Sequence, residues 1–422
     1  MNRTELGPLA DEIELSLWRD LLDPWFPACV DSMGGFWQVY DARWMRKPST
    51  SRGVVFQSRM TWVGAAVAMQ GGDRAEEFAQ VARHGAEYLE RVFVEPETGA
   101  VTWMVDISDK PRPEGSQKGH TYGGAFTLYA LAAAHRALGD AAPLEAAKKV
   151  FGWLEKCVHD SSNGGYFECC DVSGAPLLKA PDRRGEKLGD DIGTPYGQKS
   201  QNTHLHLMEA FAELAKSWRD PLLLERLAEV KEILEDKLYD PAGWLHIYAK
   251  PDWTPVPDRV SYGHDIEAAH LLIDAAETLT GSVDPKTAQR AISLADNTLL
   301  YGMDLEFGGF YTNGTAGGRP LLRAKGWWTQ AEALYGLTRT SLLPDAPTDD
   351  YLEAAVATWK WIKEHQIDSE NRGWFEMIQQ DGSPADPADH KDRKGHMWKA
   401  AYHEARALME TAKIFRALSV EE

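Results

Sequence analysis

The chain has 422 residues, 43% of them hydrophobic and 26% charged, which is ample material for a large buried core and unlike a disordered segment. Its formal charge of −19 excludes a protein that tracks nucleic-acid phosphates or lies on an anionic membrane, since both need a basic face. Four cysteines, Cys29, Cys157, Cys169 and Cys170, are too few and too irregular for a disulfide framework, so a reducing cytoplasm is the expected compartment.

The N-terminal stretch MNRTELGPLADEIELSLWRDLL lacks an uninterrupted apolar run and reads as an amphipathic helix, not a signal peptide. No window reaches the roughly 18 apolar residues of a membrane span. A Gly-aromatic segment follows, GGFW at 34–37, and it recurs as GAVTW at 99–103, GGYF at 164–167, GW at 243–244, GGFY at 308–311 and GWF at 373–375. From Gly35 through Gly99, Gly165, Gly243, Gly309 and Gly373 the spacings are 64, 66, 78, 66 and 64 residues. One such glycine marks a turn; six at near-constant spacing mark a repeated supersecondary unit.

Two helical patterns lie between successive turns. One set begins near Arg52, His120, Lys199, Ser261, Arg323 and Lys394 and is apolar or small nearly all round, as a helix buried on both sides must be. The other set, such as AEEFAQVARHGAEYLERVF and LLLERLAEVKEILEDKLY, keeps one charged face. With the N-terminal helix the count is six inner and six outer helices. Closing them into a ring predicts an all-α fold, an (α/α)6 barrel, as a single catalytic domain over residues 1–422. Long polar stretches at 171–198 and 246–260 precede inner helices, so short β-hairpin or loop excursions are expected at that end, the mouth of a cavity.

Near their starts the inner helices carry residues that a buried helix should avoid: Arg59; Tyr122; Asn202, His204 and His206; His264 and Glu267; Trp327, Trp328 and Glu332; Trp398 and His403. A single buried histidine or tryptophan is ordinary packing. Several titratable groups at equivalent heights of one ring are not, because a buried charge without a partner costs several kcal/mol. His204 and His206 stand two apart and point in nearly opposite directions, whereas Asn202 and His206, four apart, share a face. His206 is therefore the inward residue and His204 a structural one. The HEXXH spacing is absent and no metal is expected. Glu267 and Glu332 are candidates for a glycosidase carboxylate pair, but Glu267, three residues after His264, is placed to orient that imidazole.

The motifs QSR (57–59), NTHLHLMEA (202–210), SYGHDIEA (261–268), KGWWTQAEA (325–333) and WKAAYHEARA (398–407) resemble the N-acylglucosamine 2-epimerase superfamily, nearest its cellobiose 2-epimerase branch, over almost the whole chain. That resemblance implies a cofactor-free sugar 2-epimerase with a mono- or disaccharide as its partner. It places the acid/base pair for C2 at His264 and His403 and ring opening at His206. Arg59, Tyr122, Asn202, Glu267, Trp328, Glu332 and Trp398 fall on positions that bind substrate or support those histidines. The chemistry suits the inventory: ring opening exposes a C1 carbonyl, a base takes the C2 proton to give a cis-enediolate, and an acid on the opposite face returns one. Imidazoles, with an ordinary pKa of about 6.5, exchange protons near neutrality.

Two departures point to a divergent branch acting on free mannose and glucose. The chain reads EAAHLL, with His270, where that branch usually has EASWLL, and WKAAYHEAR where it has WKCPYHN. Trp398, five residues before His403, is expected nearer the mouth on the same helix, where it would stack a second sugar ring. An aldose–ketose isomerase ranks second because the same enediolate leads to a ketose; a glycosidase ranks third and a noncatalytic sugar-binding toroid last.

Overall fold

The computed structural model describes residues 3–111, 119–171, 173–179, 189–385 and 393–420. Inner helices α2 (Val54–Gln70), α4 (Thr121–Leu138), α6 (Gln201–Ala215), α8 (Tyr262–Thr280), α10 (Trp327–Thr340) and α12 (Tyr402–Ser419) alternate with outer helices. The outer set is α1 (Leu6–Ser16), α3 (Ala75–Tyr88), α5 (Ala141–Cys157), α7 (Pro221–Glu232), α9 (Pro285–Asn297) and α11 (Thr348–Trp361). Each inner helix packs on the next, and α12 returns to pack on α2. The ring is the (α/α)6 barrel that the helical patterns predict. Among the described residues no helix is long and apolar enough to cross a membrane.

The two hydropathy patterns follow from this position. α4 has inner helices on both sides and α5 outside, and it is buried without a break from Thr121 to Ala134. α3 buries only one stripe, including Phe78, Val81, Ala82 and Ala86. Close approach fixes some small residues: a Cβ on Gly64 of α2 would lie 2.8 Å from the backbone nitrogen of Ala82 on α3.

Every Gly-aromatic segment closes a short hairpin that follows an outer helix, bridged at Val30–Phe36, Val94–Val101, His159–Tyr166, Tyr239–Leu245, Met303–Phe310 and Ile367–Trp374. The six repeat glycines have φ between 68° and 100°, the left-handed region that disfavours a side chain. A two- or three-residue strand then enters each of the first five inner helices and pairs with the following unit: Ser51–Gly53 with Met104–Asp106, Gly119–His120 with Cys169–Cys170, Lys199–Ser200 with Tyr248–Ala249, Val260–Ser261 with Asn313–Gly314, and Lys325–Gly326 with Met377–Ile378. The bridge between Tyr40 and Gly395 completes the circle. These are the hairpin excursions at the mouth. The 246–260 stretch supplies the pair Tyr248–Ala249 with Pro255–Val256, while residues 172 and 180–188 of the other long stretch lie outside the described residues.

Among the described residues four units add a buried cation shortly before the inner helix, clamped to the acid of their own Gly-aromatic turn. Arg52 pairs with Asp31, Lys199 with Asp160 at 2.8 Å, Lys325 with Asp304 at 3.0 Å and Lys394 with Asp368 at 2.8 Å. Arg52, Lys199 and Lys325 also donate to the carbonyls of Gly34, Gly164 and Gly308, the additional bonds that a desolvated ion pair needs.

The last inner helix differs from its expected start. α12 begins at Tyr402, not near Lys394. Its approach is held out of helical form by the Tyr40–Gly395 bridge and the Lys394–Asp368 clamp. Trp398 therefore lies on the approach segment, and His403 in the first turn of α12.

Candidate active site

The inner helices converge on a cavity of about 130 Å³ lined by Arg59, Tyr122, His206, His264, Glu267, Trp327, Trp328, Trp398 and His403. Of the ten residues that the family resemblance places in the site, eight are in this lining, together with Trp327, which the sequence also picks out at the start of its helix. Asn202 and Glu332 are not: Asn202 stands beside the Tyr122 hydroxyl, and Glu332 lies beneath the cavity, bonded to His403. His204 is fully buried away from the cavity, its Nδ1 2.7 Å from the Ser200 carbonyl and its Nε2 accepting the Tyr166 N–H at 3.0 Å. It is a structural histidine, as its spacing from His206 requires.

Two of the three lining imidazoles are held by glutamates and the third by a hydroxyl. His403 Nδ1 is 2.6 Å from Glu332 Oε1, and His206 Nδ1 is 2.9 Å from Glu209 Oε2. An ionised carboxylate only accepts, so both rings carry a proton on Nδ1, and in the neutral form of either ring the lone pair lies on Nε2. His264 Nδ1 meets the Ser261 hydroxyl at 2.9 Å, a partner able to donate or accept. Glu267 does not orient His264 as the three-residue spacing suggested. Its Oε1 goes to Arg406 at 2.7 Å, because a guanidinium opposite outcompetes a neutral imidazole on the same helix.

Arg406 is the hub of the floor. Its guanidinium bonds Glu209, Glu267 at 2.7 Å, Glu332 at 2.7 Å and the Tyr402 hydroxyl at 2.6 Å. Three buried carboxylates share one cation, and their proton affinities diverge accordingly. Burial works against ionisation of Glu332, but Arg406, His270 and His403 outweigh it and hold the carboxyl well below its ordinary value. Glu209 is likewise lowered to about 2, against its burial, by Arg406, His206 and Tyr402. Glu267 is pushed up to about 7 by burial and the charge of Glu332, and its Oε2 meets no hydrogen-bond donor among the described residues. Burial, with neighbouring cations, lowers His264 and His403 to about 3, so both are neutral at pH 7.

Aromatic rings and one more cation shape the walls. Trp328 lies against both His264 and His403, with ring centroids 4.9 and 5.8 Å away. Arg59 bonds the Trp398 carbonyl at 2.9 Å and the Tyr122 hydroxyl at 3.2 Å and stacks over Phe126.

The model of the family described as N-acylglucosamine 2-epimerase matches residues 34–404. The chain belongs to the N-acylglucosamine 2-epimerase family. It is 30% identical over 408 residues to a cellobiose 2-epimerase of Ruminococcus albus, covering 95% of this chain and 98% of that one. A D-mannose isomerase of Marinomonas mediterranea is 22% identical over 412 residues, covering 92% and 93% of the two chains. The solved cellobiose 2-epimerase of Bacillus thermoamylovorans B4167 superposes with a TM-score of 0.83 at 25% identity, covering 96% of this chain and 99% of that one. With its family and relatives, this protein is a carbohydrate epimerase, an enzyme of the isomerase class.

Sequence reasoning missed Arg406, Glu209 and Tyr402. The signal was there for two of them: Glu209 and Arg406 each follow an inward histidine by three residues and so share its face of the helix. In the sequence His270 reads as a departure, standing where the cellobiose 2-epimerase branch usually has a tryptophan. It lies fully buried below the cavity, 2.8 Å from Glu332 Oε2.

Among the described residues two groups bring metal-type donors together, Glu267–Glu332–His403 and His120–Glu168–Asp190. In the first, Arg406 already stands at both carboxylates and His403 Nδ1 carries a proton. In the second, His120 Nδ1 accepts the Tyr122 N–H, so its Nε2, 3.2 Å from Asp190, carries the proton and offers no lone pair to an ion.

Proposed function

We propose that this family member is a 2-epimerase of glucose- and mannose-type reducing ends, a single catalytic domain over residues 1–422 that takes a mono- or disaccharide. The observation that carries this reading is a pair of neutral imidazoles, His264 and His403, on different helices of one cavity and both against the Trp328 ring. His206 assists ring opening. With the C1 carbonyl exposed, the Nε2 lone pair of one imidazole takes the C2 proton, and the other imidazole returns a proton to the opposite face of the enediolate. His403, fixed as the Nδ1–H tautomer by Glu332, is set to begin as a base. The Ser261 hydroxyl lets His264 begin with its proton on Nε2. Arg59 supplies fixed positive charge toward the developing enediolate oxygen, and Glu267 Oε2 is available to a sugar hydroxyl.

The glycosidase alternative needs Glu267 and Glu332 as a working pair. Glu332 does not line the cavity, and both carboxylates bond the same nitrogen of Arg406. An aldose–ketose isomerase remains the second reading, supported by the similarity to D-mannose isomerase, because delivery of the proton to C1 of the same enediolate yields the ketose. In deuterated water the epimerised sugar should acquire deuterium at C2, and His264→Ala and His403→Ala should each lose about 10²- to 10⁴-fold in turnover. Product that keeps its C2 hydrogen, or either variant within about tenfold of the parent, overturns the reading.

A further inference from the structure

Glu332 is held by an imidazole on each oxygen. Oε1 accepts from His403 Nδ1 at 2.6 Å and from Arg406 at 2.7 Å, and Oε2 accepts from His270 Nε2 at 2.8 Å. His270 lies outside the cavity lining, fully buried, with its ring against Tyr335 at 4.4 Å between centroids. In the neutral ring that donates from Nε2, Nδ1 is the unprotonated nitrogen, and that atom is buried with no partner among the described residues. An apolar side chain in this position would avoid leaving a polar atom unmet. A local cost of this kind, one turn below reacting groups, marks a residue retained for its effect on the site.

We propose that His270 is a positioning residue for proton transfer at C2: its bond to Oε2 fixes the rotation of the Glu332 carboxylate, which in turn keeps His403 in the tautomer with Nε2 free. This rests on the epimerase reading of the same cavity. A carboxylate bonded through one oxygen can still pivot about it, whereas a bond on each oxygen removes that freedom. Arg406 cannot replace His270, because it meets the same oxygen that His403 meets. The other charged or titratable groups facing His403 are Glu267 at 4.0 Å, Arg59, His264 and Tyr402, whose ring centroid is 4.9 Å away, and none of them is bonded to Oε2. Among the described residues no other side chain is bonded to Oε2 of Glu332.

The test combines ring-nitrogen NMR of the full chain, labelled with ¹⁵N-histidine, with steady-state kinetics. In the parent, His403 should carry its proton on Nδ1 and His270 on Nε2. His270→Gln, whose amide donates at similar reach, should keep the His403 tautomer and a kcat within about threefold of the parent. His270→Met should give His403 as a mixture of tautomers and lower kcat about ten- to hundredfold while KM stays within about twofold. A Met variant with parental kcat and His403 tautomer overturns the proposal, and so does a parent His270 protonated on Nδ1. The parent spectrum needs no variant, so it decides the matter even if His270→Met does not fold. A parent without epimerase activity would sink the functional reading, while the tautomers would still decide the part played by His270.

Discussion

Two sets of buried charge hold this barrel, and they follow opposite plans. Around the mouth, each clamp joins residues of one repeat: Arg52 to Asp31, Lys325 to Asp304 and Lys394 to Asp368 span 21, 21 and 26 positions, and Lys199 to Asp160 spans 39 across a longer loop. At the centre, Arg406 reaches back 197, 139 and 74 positions to Glu209, Glu267 and Glu332. A clamp can form as soon as its own unit folds. The central cluster exists only when α6, α8, α10 and α12 have come together, since each supplies one of its charges. The stoichiometry differs as well. Each clamp matches one cation with one acid, whereas the centre gives three acids a single guanidinium, so one of them must hold its proton more tightly than the others. That unequal sharing is what a proton-transfer site needs and what a structural clamp avoids.

The largest expected effect tests this division directly. Breaking a buried pair by removing one partner costs about 3–5 kcal/mol, so Lys325→Met and Arg406→Met should both lower stability by amounts of that order in denaturant unfolding. Lys325→Met, measured at a temperature where it is fully folded, should keep kcat within about threefold of the parent. Arg406→Met strands three carboxylates and frees Glu332, and should lose nearly all turnover. Equal losses of kcat in the two variants would erase the distinction between frame and site.

Additivity gives a second and smaller contrast. Clamps in separate units share no partner, so Lys199→Met and Lys325→Met should destabilise the double variant by the sum of their separate effects within about 0.5 kcal/mol. Arg406→Met combined with Glu332→Gln should deviate from additivity by about 0.5–3 kcal/mol, because each change removes part of the penalty left by the other. A large coupling between the two clamps would show that the repeats are not independent.

The same contrast explains how much was legible in the sequence. The barrel could be read because its signals recur: the Gly-aromatic turns, the switch between all-round apolar and one-faced helices, and the spacing of near-constant length. The cavity residues could be read because polar side chains at the starts of buried helices are costly to desolvate unless they meet partners or line a site. Partner choice could not. His206 does bond Glu209 three residues on, yet His264 does not bond Glu267 at the identical spacing. The i, i+3 rule states which residues share a face; the residue across the ring decides the pairing, and Arg406 stands 139 positions from Glu267. The start of α12 was misplaced for a related reason. The bonds that keep residues 393–401 out of the helix go to Tyr40 and Asp368, far away in the chain.

A pH experiment isolates the acid that yields. Burial and the charge of Glu332 hold Glu267 up to about 7, above an ordinary glutamate at about 4.3. The folded protein therefore binds this proton more tightly than the unfolded chain does. The contribution is fully present below about pH 4.3 and is lost as pH rises through 7. Glu332 and Glu209 are lowered, so their contribution has the opposite sign, present above about pH 4.3 and lost in acid. Glu267→Gln removes the titration and keeps an oxygen for Arg406. Its stability relative to the parent should rise between pH 5 and pH 8, followed by Tm across that range. A difference that does not change with pH would assign the titration elsewhere.

The smallest effect concerns Trp398, which the structure moves from the helix to its approach. Its backbone is fixed independently of its ring: the carbonyl accepts from Arg59 at 2.9 Å, and the amide donates to His396 Nδ1 at 3.2 Å. The ring itself, partly exposed, lies near Trp103 and Tyr122 with centroids 6.1 and 6.4 Å away. Trp398→Ala therefore removes an aromatic face from the cavity lining while leaving the acceptor that Arg59 uses. If that face supports a second sugar ring beyond the reducing end, the variant should raise KM for cellobiose relative to mannose by about fivefold, on the order of 1 kcal/mol for one aromatic contact. kcat on mannose should change little, because the Arg59 anchor and the imidazoles are untouched. Equal losses on both sugars would place the ring of Trp398 against the reacting sugar, and the boundary between catalytic floor and mouth would then run outside this residue.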